Sequence, residues 1–326
     1  IVSIQTKNIF MSFSKIIYRL LTPLLLLCMI SCEPTQSRQS PSSNHQEDQK
    51  FTDYWYAGEA ELNRYQLDQV RYGENHPGEA VLIFVTEDFW ADKQVKYEHG
   101  DRTNQVKPIL KLNFTRKFFT GIYPYSLMSS IFTPIDTRQK TLKITTTAQE
   151  WCGHSFSQLN LKKDKYDFLG FSYFQDEADQ KSTIQAAMLE DEVWNKIRLN
   201  PSSLPTGDIE LIPGGQYLRL NHKPIAVEKA FATMKNMQDT TLSSASLTKY
   251  TIKYKDLQRE LSIVFETSFP YAIVAWEEHI VSGNKDPKPM ITKAVRTHTI
   301  KSAYWSQNGL KDADMRAKLG MKAENY

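Results

Sequence analysis

The densest group of chemically capable side chains lies in residues 149–154, where Cys152 and His154 place a thiol and an imidazole two positions apart. If this segment is extended, both side chains project to the same face, and the pair could act as nucleophile and base. No Asn or Asp lies nearby in the sequence to orient the imidazole. Because free cysteine is among the most buried residue types, the sequence favours a small core residue at Cys152 over a catalytic one.

The strongest concentration of aromatic residues lies in residues 117–128. Such a run could line an apolar pocket or an interaction groove, although the rings could instead simply fill the core. The candidate binding residues are those of this run together with their neighbours in residues 149–154: Phe118, Phe119, Tyr123, Tyr125, Trp151, Cys152 and His154.

Motifs for cofactors and metals are missing from the sequence. Six of the seven histidines, at positions 76, 99, 154, 222, 279 and 298, are scattered with no metal-ligand spacing. The sequence contains no Gly-rich phosphate loop, no Gly-x-Ser-x-Gly elbow and no His-Glu-x-x-His helix. We therefore expect no metal or cofactor, and a protein that is not an enzyme.

The N-terminal segment has the pattern of an export signal. Lys15 and Arg19 precede an apolar run at residues 20–30, which is shorter than the roughly 20 residues of a spanning helix. The run ends at Ser31-Cys32, a pattern typical of lipoproteins that are cleaved before the cysteine. We expect residues 1–31 to be a signal peptide, with the true start at Met11, and a lipid on Cys32.

The composition after this signal favours a membrane-anchored protein of the envelope. Residues 33–50 contain no aliphatic or aromatic side chain, which predicts a flexible tether at residues 32–50. The absence of a dense acidic cluster after Cys32 favours the periplasmic face of the outer membrane. Three of the 40 basic residues belong to the signal, which leaves 37 against 37 acidic ones, so the balance gives no case for nucleic acid.

Strand patterns dominate the rest of the chain. Residues 80–85 are apolar on both faces, as in a central strand that is covered twice, and residues 109–114 alternate. Residues 250–254 and 261–265 also alternate and predict a hairpin. Further strands are predicted at 141–147, 166–174, 208–212, 217–222, 271–276 and 291–300, about a dozen in all.

One segment has helical spacing. Residues 186–199 place Leu189, Val193 and Ile197 four apart, and the segment ends at Asn200-Pro201. Pro213-Gly214-Gly215 predicts a hairpin turn. The fold class is therefore predicted to be mainly β, an antiparallel curled sheet (barrel- or sandwich-like) with one packed amphipathic helix. The predicted domain covers residues 51–305, and residues 306–326 form a tail with a short helix.

Four segments carry a resemblance to a known group: residues 80–89, 111–134, 149–154 and 204–207. Over residues 54–304 the chain resembles a family of uncharacterised lipoproteins from the Bacteroidota, some of them labelled "septum formation inhibitor Maf". True Maf proteins are small cytoplasmic α/β nucleotide pyrophosphatases with a Ser-x-Ser-x-x-Arg loop, which this sequence does not contain, so that activity is excluded. The resemblance implies no reaction and no functional residue beyond the lipid cysteine.

These patterns lead to one functional hypothesis with two competitors. The leading hypothesis is a binding or scaffold module that takes an apolar ligand or an envelope partner protein. One alternative is an envelope enzyme that uses Cys152 and His154, and the other is a purely structural component. An open apolar cavity would favour the first over the last.

Overall fold

The computed structural model describes residues 42–283 and 286–321, with side chains from residue 48 onward. From Ser43 on, they belong to one compact unit. The predicted signal peptide, the start at Met11, the lipid site Cys32 and residues 32–41 of the predicted tether lie outside the described residues.

Strands make up most of the described chain, and four α-helices accompany them. The strands are β1 Ala60–Arg71, β2 Glu74–Trp90, β3 Val95–Lys96, β4 Val106–Thr120, β5 Tyr123–Pro134, β6 Lys143–Glu150, β7 Gly153–Lys162, β8 Lys165–Ser172, β9 Gln180–Gln185, β10 Met188–Leu189, β11 Gly207–Ile212, β12 Glu228–Met237, β13 Leu247–Tyr254, β14 Arg259–Glu266, β15 Ile273–Ser282 and β16 Lys288–Ser302. The helices are α1 Ser42–Trp55, α2 Glu190–Leu199, α3 Gly215–Leu220 and α4 Asp314–Lys318. The mainly β class is confirmed.

The strands form one large sheet whose order starts at β10 and runs to β16, continues with β1 and ends at β9. All neighbours are antiparallel except the short pair β10–β11. The first and last strands pair in the middle of the sheet, with Ala60 opposite Ser302. The order has two free ends, so the sheet is not closed into a barrel.

The sheet curls around α2. Twelve strand spacings of about 4.8 Å would separate β11 from β8 by roughly 60 Å in a flat sheet. Instead, Leu211 of β11 and Phe168 of β8 belong to one continuous core with Val193 and Trp194 of α2. The helix is buried on nearly all sides, with Lys196 as its one partly exposed residue. It therefore fills the concave side of the sheet, and the predicted amphipathic helix is in fact enclosed.

Polar side chains of α2 each bind a different part of the sheet. Glu190 pairs with Arg259 of β14, and Arg198 pairs with Glu61 of β1. Asn195 donates its amide to the carbonyl of Leu110 at 3.0 Å. A buried helix must satisfy such groups internally, since an unpaired buried polar group costs about 1–3 kcal/mol. These bonds fix how the helix sits in the sheet.

The predicted alternation is confirmed in the strands on which it was clearest. In β4, Leu110 and Leu112 are buried while Lys111 faces the other side, and β13 and β14 form the predicted hairpin. The central strand β2 is covered on both faces. Its inner residue Leu82 joins the main core, and its outer residue Val81 packs with Leu319 of the C-terminal segment.

The structure differs from four sequence predictions in position or type. Residues 217–222 lie largely in α3 rather than in a strand, because Tyr217 and Leu220 bury one face at a spacing of three. Residues 213–215 accordingly lead into this helix and do not turn a hairpin. Residues 42–50 of the predicted tether belong to helix α1. The predicted helix at residues 186–199 begins at Glu190.

Candidate functional site

A cavity of about 600 Å³ lies on the concave side of the sheet, against β6, β7 and β8. Its volume is in the range of about 300–1,000 Å³ that is usual for ligand pockets. We call it the inner cavity. Two cross-strand rows of small inward-facing residues make the space: Thr146, Ser157 and Gly170 in one row, and Ser155 and Ser172 in the next.

The row below the small residues is large and apolar. Ile144, Leu159 and Phe168 pair across the same three strands and close the cavity floor. Large side chains alternate with these small residues along β7 and β8 and therefore project from the other face of the sheet. There the rings of Phe156 and Phe171 stack with centroids 6.5 Å apart. The usual arrangement of large residues inside and small ones outside is therefore reversed here, and this reversal creates the cavity.

Helical segments form the opposite wall. The start of α3 approaches the sheet so closely that a Cβ on Gly215 would lie 2.4 Å from Oγ1 of Thr146, so this position requires glycine. The floor on this side consists of Leu189 and Ile212, which are 1% and 2% exposed, and of Asp191 from the first turn of α2. Apart from Asp191, these floor residues are apolar.

Charged residues occupy the rim. Glu177, in the loop after β8, bonds to His222 and lies 3.6 Å from Arg219 of α3. The guanidinium of Arg219 lies over the ring of Phe174, 4.4 Å from its centroid, and also faces Glu150 at 3.5 Å. These contacts join the loop after β8 to the end of α3 beside the cavity.

Asp191 is the unusual group of the inner cavity. Its Oδ2 accepts the backbone N–H of Gly215 at 2.9 Å, and it belongs to no ion pair among the described residues. Burial raises the pKa of Asp191 to about 7, an effect that Glu190 increases and that Gly215, Arg116 and Arg259 partly offset. A carboxyl with a strongly shifted pKa in a cavity is a frequent mark of a functional site.

The neighbouring buried charges neutralise one another. Arg259 pairs with Glu190 and, at 2.6 Å, with Glu278, whose second partner is Arg116 at 3.7 Å. Burial alone would raise the pKa of Glu278, but the two arginines outweigh burial and lower it. Two cations and two anions thus cancel, and Asp191 is the additional acid beside them.

Most of the candidate residues predicted from the sequence lie together, but outside the inner cavity. Phe118, Phe119, Tyr125, Trp151 and His154 line an open groove of about 1,050 Å³, which we call the outer groove. The ring of Tyr123 stacks with Trp151 beside it, with centroids 6.3 Å apart.

The outer groove follows the convex side of the sheet along one straight cross-strand row. The row consists of Glu79, Lys117, Ser126, Gln149 and His154. Most of these side chains are exposed, whereas Glu79 is partly buried. The outer groove is therefore an exposed surface rather than an enclosed site, although Phe118 and Tyr125 behind it are core residues.

The predicted burial of Cys152 is wrong. Trp151 and Cys152 form the two-residue turn between Glu150 and Gly153, and turn side chains point to solvent. Glu150, whose Oε2 accepts the N–H of Cys152 at 2.6 Å, acts on the thiol and raises its pKa. A raised pKa favours the thiol over the nucleophilic thiolate, so the site lacks the activation that catalysis needs.

The residues of the inner cavity were missed by sequence reasoning. Ser155, Ser157 and Gly170 have the composition of turns or solvent-facing strand positions, which hid them. The available signal was their strict alternation with Phe156 and Phe171, which shows two strands with one face of small residues and one of aromatic residues.

Comparisons with known proteins add nothing to this site. No family model, no curated protein and no solved structure matches the chain. The resemblance to the Bacteroidota lipoproteins therefore stays a prediction. Within residues 42–283 and 286–321, no group of three or more potential ligands could hold a metal ion, and no helix has the length and apolar character to cross a membrane.

Proposed function

We propose that this chain is a non-enzymatic binding module of the bacterial envelope, anchored by a lipid on Cys32, whose inner cavity takes up an apolar small molecule. The observation that carries the proposal is the cavity itself. Its floor is buried and apolar apart from Asp191, its sheet wall includes two rows of small residues, and its rim is charged and partly exposed. Ligand pockets in general combine apolar walls with a few placed polar groups.

The inner cavity supports this proposal better than the outer groove does. A binding site gains affinity by removing apolar ligand surface from water, at about 25 cal/mol per Å². A cavity between a sheet and two helices removes more of that surface than a groove with exposed walls. The enzyme alternative lacks support, because the exposed thiol of Cys152 has a raised pKa.

Fluorescence of N-phenylnaphthylamine, an uncharged apolar probe, tests the cavity. The variant Ser157→Trp fills the space from the sheet wall, and Gln158→Trp adds the same ring on the opposite face of the same strand. We expect the purified protein to bind the probe, Ser157→Trp to weaken binding at least tenfold, and Gln158→Trp to leave it unchanged. Equal binding by both variants, with unchanged melting temperatures, would place the probe outside the cavity.

The anchor is tested separately. We expect Cys32→Ala to abolish incorporation of labelled palmitate and to release the protein from the membrane fraction, because the cysteine thiol is the acceptor of the lipid. Continued labelling of the variant would rule out the anchor without affecting the cavity.

A further inference from the structure

The inner cavity holds one buried acid whose partners account for only part of its bonding capacity. A carboxyl group offers two oxygens, and the backbone N–H of Gly215 binds Oδ2 of Asp191 at 2.9 Å. The residue is 8% exposed, lines the cavity and belongs to no ion pair among the described residues. Keeping an unpaired acid on an apolar floor is costly, which points to a use for it.

The charges that face Asp191 leave it without a cationic partner. On its own helix lies Glu190, and on the packed strands lie Arg116, Arg259 and Glu278. The two arginines are held by the two glutamates, at distances up to 3.7 Å.

On the cavity side, the charged groups lie at the rim. Arg219 is bound by Glu150 and Glu177, and His222 is bound by Glu177. The side chains of His222 and Lys223 are exposed, whereas that of Asp191 is buried. Lys223 also lines the cavity, but neither it nor any other described cation forms an ion pair with the acid on the floor.

We propose that Asp191 is the polar anchor of the inner cavity and donates a hydrogen bond to an uncharged acceptor, such as an ester carbonyl, on an otherwise apolar ligand. This inference rests on the proposed function and names its ligand class. Burial raises the pKa of Asp191 to about 7, so the group carries its proton in mildly acidic solution. A protonated carboxyl is a donor, and an apolar cavity strengthens the bond because water does not compete.

A ligand with an ammonium group is the competing possibility. It would pair with ionised Asp191, but it would lose its hydration and lie close to Arg116 and Arg259, whose charges already act on this acid. The two ligand classes depend on pH in opposite directions, because one needs the protonated acid and the other needs the carboxylate.

Competition against N-phenylnaphthylamine between pH 5 and pH 9 separates these cases, with methyl decanoate, decane and decylamine as matched competitors. We expect methyl decanoate to bind more tightly than decane at low pH and to lose this advantage as the pH rises through about 7, where Asp191 gives up the proton that makes the bond. Asp191→Asn keeps a donor at every pH, so it should retain the preference for the ester and remove its pH dependence. Asp191→Leu should abolish the preference.

The outcomes distinguish this inference from the function on which it rests. Equal, pH-independent binding of methyl decanoate and decane would overturn the role of Asp191 and leave the apolar cavity standing. Decylamine binding that strengthens above pH 7 would overturn it in favour of the cationic ligand. Absence of any competition or probe binding would overturn the proposed function and the inference together. The melting temperature of each variant shows whether it is folded.

Discussion

At the scale of single residues, the pKa values of two buried acids, Glu61 and Asp191, shift in opposite directions. Burial alone would raise the pKa of Glu61, but Arg198, Tyr54 and Asn63 outweigh it and lower the pKa to about 2. Asp191 has no such partner, and burial raises its pKa to about 7. Glu61 therefore stabilises the fold above its unfolded pKa, and this contribution is lost only as the pH falls towards 2. Asp191 has the opposite effect.

We expect Asp191→Asn to stabilise the protein at neutral pH. The unfolded chain ionises this acid near the ordinary aspartate pKa of 3.8, whereas the folded protein resists ionisation until about pH 7. The wild type therefore loses stability as pH rises between these values, and the variant does not. The expected gain is about 1–3 kcal/mol at pH 7, measured by urea unfolding.

The control for this prediction is the same comparison in acid. Well below the unfolded pKa of 3.8 the acid is protonated in both states, so the two proteins should unfold at the same urea concentration there. A gain that persists unchanged at low pH would show that the effect comes from packing and not from the charge of Asp191. A gain at neutral pH alone would mark a position where stability is given up for function.

The same scale shows why the candidate residues were only partly predictable. Cys152 was expected in the core on the general behaviour of cysteine, but a two-residue turn overrides that preference. Phe118, Phe119 and Trp151 lie along one groove, because the β4–β5 and β6–β7 hairpins turn at the same side of the sheet. Asp191 gave no signal, since an acid in the first turn of a helix is normally a solvated one.

At the scale of elements, α2 is held in the curled sheet by charge as well as by apolar packing. Arg198 is fully buried, bonds to both oxygens of Glu61 and donates Nε to the carbonyl of Pro270 at 2.9 Å. Its guanidinium also lies 5.1 Å from the ring centroid of Trp55, the last residue of α1. Arg198 thus connects α1, α2 and the middle of the sheet.

We expect Arg198→Met to destabilise the protein by about 3–5 kcal/mol, because it leaves Glu61 buried without its cation. The double variant Arg198→Met with Glu61→Gln should recover most of that loss, since no charge is then left uncompensated. Urea unfolding of the four proteins in this cycle gives the coupling directly. A double variant as unstable as the sum of the two single ones would show that Arg198 acts through packing alone.

The elements also show where sequence patterns were sufficient. Strands such as β4 and β13 were predictable because one face meets the core and the other meets water. The short helix α3 was not predictable from sequence. Its six residues make fewer than two helical turns, too few to distinguish the apolar spacing of a helix from that of a strand. Its position depends on Gly215 meeting Thr146, a contact between distant parts of the chain that no local pattern contains.

At the scale of the whole molecule, the chain forms two successive meanders. They are joined in the middle of the sheet, where the first strand of one meander pairs with the last strand of the other. One runs from β1 to β9 and the other from β10 to β16, and β1 pairs with β16 along Ala60–Asp68. A curled sheet could be predicted from the alternation, but this order could not, because pairing between the first and last strands follows from no local signal.

We expect the pairing of β1 with β16 to form late in folding, because the entropy of closing such a long loop must be offset before its contacts are gained. Leu67→Ala, in the strand pair that closes the sheet, should therefore act mainly by raising the unfolding rate. Ile252→Val, in the local hairpin of β13 and β14, should mainly lower the folding rate. Stopped-flow folding and unfolding in urea measure both rates, and equal φ-values would contradict the order.

The pairing of the first strand with the last also has a consequence for synthesis and export. β1 emerges early but cannot find its second neighbour until β16 at residues 288–302 has followed. Until then β1 presents an open edge, the kind of surface at which strands of different chains pair and aggregate. A product truncated anywhere before β16 would keep that edge permanently. The topology thus makes synthesis of β16 the condition for covering the edge of β1, and copies without it would expose a surface that proteases and chaperones recognise.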